Sequence, residues 1–148
     1  LEKHKVYLSA ILDLYDRRIV SYIIGDSNNN ELVFRTFDEA IQANPDAHPL
    51  FHSDRGFQYT NRAFHKKLEN AGMIQSMSRV AKCIDNGPME GFWGILKRER
   101  YYGKRFTSRE MLVSMIEGYM AYYNDRRLQR NLGVMTPTEK HESYLRAA

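Results

Sequence analysis

The most constraining feature of the sequence is a nearly continuous apolar run near its start, VYLSAILDLY at residues 6–15. A strand with one wet face alternates apolar and polar residues, whereas an unbroken apolar run is typical of a strand covered on both faces. Residues 16–18 (DRR) predict a short turn and residues 19–24 (IVSYII) a second strand. The pair therefore predicts a β-hairpin packed inside a layered fold.

Helix and strand signals then alternate along the chain. Residues 30–41 show apolar positions at helical spacing behind a predicted N-cap, Asn30, while residues 49–53 and 73–77 are short apolar runs typical of strands. The remaining helices are predicted to begin at a capping Asn, at an early proline and at two capping boxes, that is, at Asn61, Pro88, Thr107 and Thr136. This order predicts the α/β class, with helices on a mixed sheet, in a single domain over residues 1–148.

The net charge of +4 is distributed unevenly. Residues 76–148 carry 13 Lys and Arg against 8 Asp and Glu, whereas residues 1–75 carry 9 against 10. A basic second half hints at a polyanionic partner, although a solvated basic helix surface is the commoner explanation. The lone Cys83 excludes a disulfide framework and favours the reducing cytoplasm, and no apolar stretch of about 18 residues predicts a membrane-spanning helix.

Two carboxylates stand out by position. Asp54 ends a short apolar strand, where open α/β sheets place their ligands, and Glu90 lies in the first turn of a helix, with 35 residues between them. Phosphoryl transfer on DNA needs Mg²⁺ to hold the phosphate and activate a nucleophile, and Mg²⁺ takes hard oxygen ligands. Taken singly, each residue is more often structural, because Asp caps loops and the helix dipole favours an early Glu.

Four segments, taken in order, give the chain a specific resemblance. They are LDLYDRRIV at residues 12–20, HSDRGFQY at 52–59, DNGPMEGFWGILKRE at 85–99, and the closing segment at 122–137. They resemble the early hairpin, second-aspartate motif, glutamate motif and closing segment of the DDE-type (OrfB-like) bacterial insertion-sequence transposases, which are similar to retroviral integrases. The resemblance covers essentially the whole chain, and its gap of 35 residues matches the usual one of the family.

This resemblance implies an integrase catalytic core with a ribonuclease-H-like fold, a mixed sheet flanked by helices. It implies Mg²⁺-dependent cutting and joining of DNA, with Mn²⁺ as a substitute, and it implies that Asp54 and Glu90 are catalytic metal ligands. The implied partners are transposon ends, target DNA and further copies of the chain, at the nucleoid in a bacterial cytoplasm. No membrane partner is expected.

One departure from the family pattern affects the expected activity. In the family the first catalytic aspartate lies on a central strand before the hairpin, and this sequence begins after that strand would have ended. Asp13 falls where the family has a non-catalytic aspartate. We therefore expect the first, central strand to be missing, two strand edges to be left unpaired, and the chain alone to be inactive in nicking and strand transfer.

A basic segment follows Glu90 in the sequence. Lys97 lies two helical turns after Glu90 on the same face, and it resembles the family's lysine that meets DNA near the scissile phosphate. The predicted DNA-binding residues, which would contact phosphates without reading sequence, are Lys97, Arg98, Arg100, Lys104 and Arg105. Asn86 is a supporting candidate that could orient the glutamate, although an N-cap role explains it equally. His52 is predicted to be a strand residue with a satisfied ring, and Trp93 a core residue.

Two functions of different classes remain open from the sequence. The chain is either a transposase core that acts on DNA with Mg²⁺, or a non-catalytic remnant that binds DNA or associates with itself. Another ribonuclease-H-like nuclease, such as a junction resolvase, is a third possibility. The short motif DRGFQY at residues 54–59 disfavours this third possibility.

Overall fold

The computed structural model of the chain describes residues 5–79 and 87–148. The strands in these ranges are β1 (Tyr7–Leu12), β2 (Ile19–Gly25), β3 (Leu50–Ser53) and β4 (Ile74–Met77). The α-helices are α1 (Asn30–Ala43), α2 (Phe57–Thr60), α3 (Arg62–Asn70), α4 (Gly87–Leu96), α5 (Arg109–Asp125) and α6 (Pro137–Ala147). A π-helical turn, Lys97–Tyr101, continues α4, and a 3-10 turn, Arg130–Leu132, precedes α6. The predicted α/β class is confirmed, and none of these helices is long and apolar enough to cross a membrane.

The described strands form two separate sheets of two strands each. β1 and β2 pair antiparallel, from Tyr7 opposite Gly25 to Leu12 opposite Ile19, which confirms the predicted hairpin. β3 and β4 pair in parallel, with α2 and α3 as the crossover between them. The described residues therefore do not form one continuous mixed sheet, and among them β1 and β3 each have a single strand neighbour.

β1 is covered on both faces, as its apolar run predicted. Leu8, Ala10 and Leu12 pack against a cluster built mainly by α4 and α5, with Phe92 among its buried residues. Ile11 points the other way and packs against a second cluster, formed by Val33, Phe37, Phe64 and Leu68 of α1 and α3. Because side chains alternate along a strand, α1 and α4 lie on opposite faces of β1.

Polar side chains define where several helices begin. The N-cap of α1 is Asn29, one residue before the predicted Asn30, and the N-cap of α5 is Ser108, one residue after the predicted Thr107. Both corrections have the same cause, since adjacent residues of the same chemistry compete for the cap and the sequence pattern does not choose between them. Two other predicted caps are confirmed, namely Asn61 for α3 and the capping box of Thr136 and Glu139 for α6.

The hairpin is joined to the carboxyl-terminal helices by polar contacts. The side-chain amide of Asn124, on α5, donates to the carbonyl of Ile19 at 3.0 Å and accepts from the Ile19 N–H at 2.9 Å. The carboxylate of Asp16, in the hairpin turn, accepts from the Arg18 N–H at 2.8 Å and lies 2.9 Å from Nδ1 of His141 on α6. Asn124 and His141 thus hold the start of β2 and the hairpin turn in place.

Candidate functional site

Asp54 lies immediately after β3 and is exposed at the end of the sheet. Its Oδ1 accepts a hydrogen bond from the N–H of Gly56 at 2.8 Å, which closes a tight turn. A Cβ atom at position 56 would lie 3.0 Å from that oxygen, so glycine suits the turn. Arg55 donates from Nε to the carbonyl of Ser78 at 2.8 Å, which ties the turn to the residue after β4. The Asp54 carboxylate is therefore held in place and still faces solvent.

The residues after this turn fix the loop to the rest of the molecule. Gln58 is buried and donates to Oδ1 of Asn28 at 2.8 Å, and Gln75, on β4, donates to the carbonyl of Tyr59 at 2.7 Å. Burial, with a smaller contribution from the negative charge of Asp54, raises the pKa of Tyr59 to about 12. The phenol of Tyr59 thus lies within electrostatic reach of the Asp54 carboxylate.

His52 has the structural role that was predicted for it. Its Nδ1 lies 3.0 Å from Oγ of Ser76 and its Nε2 lies 3.2 Å from Oγ of Ser78. Both ring nitrogens are therefore within hydrogen-bond distance of a hydroxyl, and the imidazole links β3 to β4 and to the residue that follows β4, next to Asp54.

Glu90 lies in the first turn of α4, and its side chain is exposed. The helix is anchored on its other side by the buried Phe92 and Leu96, and the ring of Phe92 meets that of Tyr123 edge to face with centroids 4.9 Å apart. These contacts leave Glu90 on the outward side of α4.

A channel of about 780 Å³ separates the two sheets. It is lined by β1, by β3 and Asp54, by one face of α1, and by Pro88, Met89 and Trp93 at the start of α4. Trp93 is half-buried against the first cluster, as its predicted core role requires, and it also forms part of the channel wall. The structure thus brings Asp54 and the residues adjacent to Glu90 to the same channel.

The carboxylates of this site suit a divalent cation that keeps several water ligands, rather than a cation bound by protein ligands alone. Among residues 5–79 and 87–148, no group of three or more His, Cys, Asp and Glu side chains could hold a metal ion. Asp54 and Glu90 offer exposed, hard oxygen ligands, and Mg²⁺ keeps several waters and commonly takes one or two carboxylates. The donor chemistry therefore fits Mg²⁺ or Mn²⁺, whereas a two-ion site would need a further ligand. The supporting candidate Asn86 lies outside the described residues.

The predicted DNA-binding residues lie in one exposed stretch. Lys97, Arg98 and Arg100 are on the π-helical turn, and Lys104 and Arg105 follow in the loop before α5. We call these five residues the basic segment. Arg100 differs from the others, because its guanidinium carbon lies over the ring of Tyr122, 5.1 Å from the centroid. The arrangement gives a row of exposed cations directly after the helix that carries Glu90.

The sequence did not predict a polar network that lies beneath the basic segment. Glu99 accepts from the hydroxyl of Tyr119 at 2.6 Å and from Nε of Arg127 at 2.8 Å. Burial, reinforced by the hydrogen bond to Glu99, raises the pKa of Tyr119, so the phenol remains a donor. The partners of Glu99 are 20 and 28 residues away in sequence, and no local pattern marks such a contact. The network fastens the π-helical turn to α5.

Comparison with known proteins identifies the family. Two profiles, both described as Integrase core domain, match residues 1–83 and 90–144. The chain belongs to the integrase core domain family. It is 41% identical over 133 residues, or 90% of its length, to an uncharacterized transposase-like protein of Haemophilus influenzae, of which the match covers 62%. It is also 36% identical over 143 residues to the putative transposase InsK for insertion sequence element IS150 of Escherichia coli K12, covering 95% of this chain and 50% of that protein.

A third relative extends the same result. The uncharacterized 31 kDa protein of insertion element IS600 from Shigella sonnei is 38% identical over 141 residues, which cover 94% of this chain and 52% of the relative. The predicted resemblance to insertion-sequence transposases is thus confirmed. The chain spans about half to three fifths of the length of these relatives.

Proposed function

We propose that this chain is the catalytic core of a DNA strand-transfer enzyme, in which Asp54 and Glu90 bind Mg²⁺ at the channel between the two sheets. The observation that carries the proposal is the geometry of that channel, which Asp54 and the two residues preceding Glu90 line together. The names of the relatives, which include putative transposases, support the same reaction class. The reaction would take place on chromosomal DNA in a bacterial cytoplasm, with residues 1–148 as one domain.

Different residues of the chain would bind the metal ion and contact the DNA. Mg²⁺, when bound, would neutralise the charge of the scissile phosphate and lower the pKa of an attacking water or hydroxyl. Asp54 would present the carboxylate oxygen left free by its turn, and Glu90 would present its carboxylate from α4. Lys97, two helical turns beyond Glu90, would contact the phosphate backbone close to the reacting group.

The same proposal includes the strand order of the sheet. We propose a ribonuclease-H-like sheet in which a further, central strand pairs with β1 on one side and β3 on the other, and carries the first aspartate of the active site. Two observations support it. Among the described residues β1 and β3 each pair along one edge, and both line the channel. A third carboxylate on that strand would supply the ligand that a two-ion site lacks among the described residues.

Titration calorimetry with Mn²⁺ tests the metal site. Asp54→Asn and Glu90→Gln should each weaken binding by about tenfold or more, since each removes a charged ligand. Two matched controls are Glu110→Gln, in the exposed first turn of α5, and Asp46→Asn, in an exposed turn, and both should bind like the unchanged protein. Equal Mn²⁺ affinity in all five proteins would reject Asp54 and Glu90 as ligands.

A second candidate function, DNA binding without cleavage, is favoured by one observation, namely that the described residues bring together no third metal ligand. The basic segment would then provide sequence-independent affinity through phosphate contacts. A labelled duplex titrated at two salt concentrations measures this property. We expect weak binding that falls as salt rises, and a salt dependence in Lys104→Gln that is smaller by about one unit of slope, because one phosphate is no longer neutralised. Affinity that does not change with salt would exclude the basic segment as the main DNA-binding surface.

A further inference from the structure

Two exposed tyrosines lie between the cations of the basic segment. Tyr101, the last residue of the π-helical turn, is 43% exposed, and Tyr102 is 61% exposed. Elsewhere in the protein the same residue type builds the core, since Tyr119 and Tyr123 on α5 are almost completely buried. A single exposed ring is common on protein surfaces. The surroundings of these two adjacent rings therefore decide what they can bind.

The surroundings of both rings are cationic. Residues 97–109 contain six Lys and Arg residues and one acidic residue, Glu99, which already pairs with Arg127 at 2.8 Å. In the part of the chain that the structure describes, four cations next to the rings form no ion pair, namely Lys97, Arg98, Lys104 and Arg105. A polyanion can therefore contact cations that precede the two rings in sequence and cations that follow them.

Local hydrogen bonds fix the backbone that carries the rings. The N–H of Tyr102 donates to the carbonyl of Lys97 at 2.7 Å, and the N–H of Lys104 donates to the carbonyl of Tyr101 at 3.2 Å. Gly103 closes this turn with a φ of +75°, a left-handed conformation that favours glycine. Because the turn is already ordered, a ligand that stacks on the rings loses less conformational entropy on binding.

The two tyrosines differ in how far the protein uses their rings. The ring of Tyr101 stacks on that of Phe106, with centroids 5.8 Å apart and 13° between the planes, and Phe106 packs against the first cluster. Among the described residues, the aromatic partner of Tyr102 is Tyr101 alone, at 6.0 Å and 61°. Tyr101 thus has a structural role as well, whereas most of the Tyr102 side chain remains accessible to a ligand.

Aromatic rings interleaved with cations are the combination that binds single-stranded nucleic acid. The cations contact the phosphates, and the rings stack on the bases. In a duplex each base is stacked between its neighbours, so only an unpaired base exposes its faces to a side chain. An acidic peptide would also pair with the cations, but its carboxylates offer no flat surface to the rings. An unpaired base therefore matches both features of this surface.

We propose that Tyr102, supported by Tyr101, is a stacking site for an unpaired base of a DNA strand whose phosphates contact the basic segment. The inference rests on the proposed function in one respect, namely that DNA lies along this segment. It adds a contribution to affinity from the bases, which phosphate contacts alone do not provide. Every base has a flat face, so the site should depend little on which base is bound.

The direct test compares two strands that differ only in their bases. One is a fluorescein-labelled oligothymidylate of about 12 nucleotides, and the other is an abasic strand with the same label and the same number of phosphates. Anisotropy titrations without divalent metal measure binding and avoid cleavage. The unchanged protein should bind the oligothymidylate about tenfold more tightly, because stacking on a tyrosine adds to the phosphate contacts.

Three variants assign this difference to one ring. Tyr102→Ala should bind both strands with the low affinity of the abasic strand, whereas Tyr102→Phe keeps the ring and should match the unchanged protein within about twofold. Tyr144→Ala, at a similarly exposed tyrosine on α6, is the matched control and should leave both affinities unchanged. Circular dichroism checks that all three variants fold.

A third ligand, the duplex of the oligothymidylate with oligoadenylate, separates this proposal from the proposed function. Tyr102→Ala should leave duplex affinity unchanged, whereas Lys104→Gln should weaken binding of the duplex and of both single strands. Salt-sensitive duplex binding that persists while the stacking contribution is absent would reject the stacking site and retain the basic segment as a DNA-binding surface. No binding of any of the three ligands by the unchanged protein would reject both.

Three further results would overturn the stacking site alone. The first is equal affinity of the unchanged protein for the oligothymidylate and the abasic strand. The second is full affinity of Tyr102→Ala for the oligothymidylate. The third is an equal loss of duplex and single-strand binding in Tyr102→Ala, which would place the ring against the backbone instead of a base. None of these results affects the Mn²⁺ titration of the proposed metal site.

Discussion

The hairpin β1–β2 and the parallel pair β3–β4 are stabilised in different ways. The hairpin strands are neighbours in sequence, and contacts from Asn124 and His141 fasten them to the carboxyl-terminal helices. The parallel pair has four residues in each strand, and its first residues, Leu50 and Ile74, are 65% and 73% exposed. Its support is the aromatic cluster around Phe64, which is fully buried.

This difference bears on the candidate active site. Asp54 is positioned by the parallel pair, whereas Glu90 is on α4, which helps to form the cluster that packs against the hairpin. The two carboxylates therefore lie on elements of different sheets with the channel between them, and Ile11 of β1 links the sheets by packing against the cluster of α1 and α3. The proposed strand between β1 and β3 would therefore also fix the distance between the two carboxylates.

The largest expected effect is on DNA cleavage. We predict that this chain alone neither nicks nor joins transposon-end DNA in Mg²⁺ or Mn²⁺, because its described residues gather no third metal ligand. A chain that also contains the proposed central strand with its aspartate should be active, and Asp54→Ala or Glu90→Ala should return it to background. Gel assays of nicking on labelled DNA measure this. Metal-dependent cleavage by residues 1–148, abolished in both variants, would show that two carboxylates suffice.

The next largest effect is expected on the stability of the parallel pair β3–β4. Phe64→Ala should lower the free energy of unfolding by about 3–5 kcal/mol, because it leaves a cavity among Phe34, Phe37, Phe51 and Tyr59. Urea unfolding measures the change. Phe57→Ala, at a ring that is 58% exposed, is the control and should change it by less than about 0.5 kcal/mol. Similar losses in the two variants would mean that the aromatic cluster does not support β3 and β4.

A smaller effect is expected in the hairpin. Asn124→Ala removes both hydrogen bonds to the backbone of Ile19, so its part-buried N–H and C=O groups lose these partners. We expect the free energy of unfolding to fall by about 1–3 kcal/mol. Asn70→Ala, at an exposed position at the end of α3, is the matched control. If both variants lose the same small amount of stability, the hairpin does not need its hydrogen bonds to α5.

The contrast between local and distant contacts also explains what the sequence could predict. The hairpin, the capped helix starts and the strand-end position of Asp54 follow from periodicity and turn chemistry within a few residues. The cap shift from Asn30 to Asn29 shows the limit of such patterns where neighbouring residues have the same chemistry. Contacts between distant residues, such as Glu99 with Arg127, depend on packing that no local pattern encodes.

The smallest effect, and the one that reports most directly on Asp54, is the ionisation of Tyr59. Its folded pKa of about 12 is above the ordinary value of 10.0, mainly through burial and secondarily through the charge of Asp54. The neutral phenol is thus favoured in the folded protein. Its contribution to stability is complete below pH 10 and is lost as the pH rises towards 12. The stability of Tyr59→Phe should therefore fall less steeply with pH over that interval.

Asp54→Asn separates the two causes of that shift. Removing the carboxylate charge should lower the pKa of Tyr59, which should still stay above 10 because burial is the larger cause. Carbon NMR of ring-labelled tyrosine follows the titration of the single phenol, with Tyr59→Phe to assign its signal. Asp46→Asn, in the exposed turn before β3, should leave the pKa of Tyr59 where it was. An unchanged pKa of Tyr59 in Asp54→Asn would mean that the charge of Asp54 does not reach the phenol and that burial alone raises this pKa.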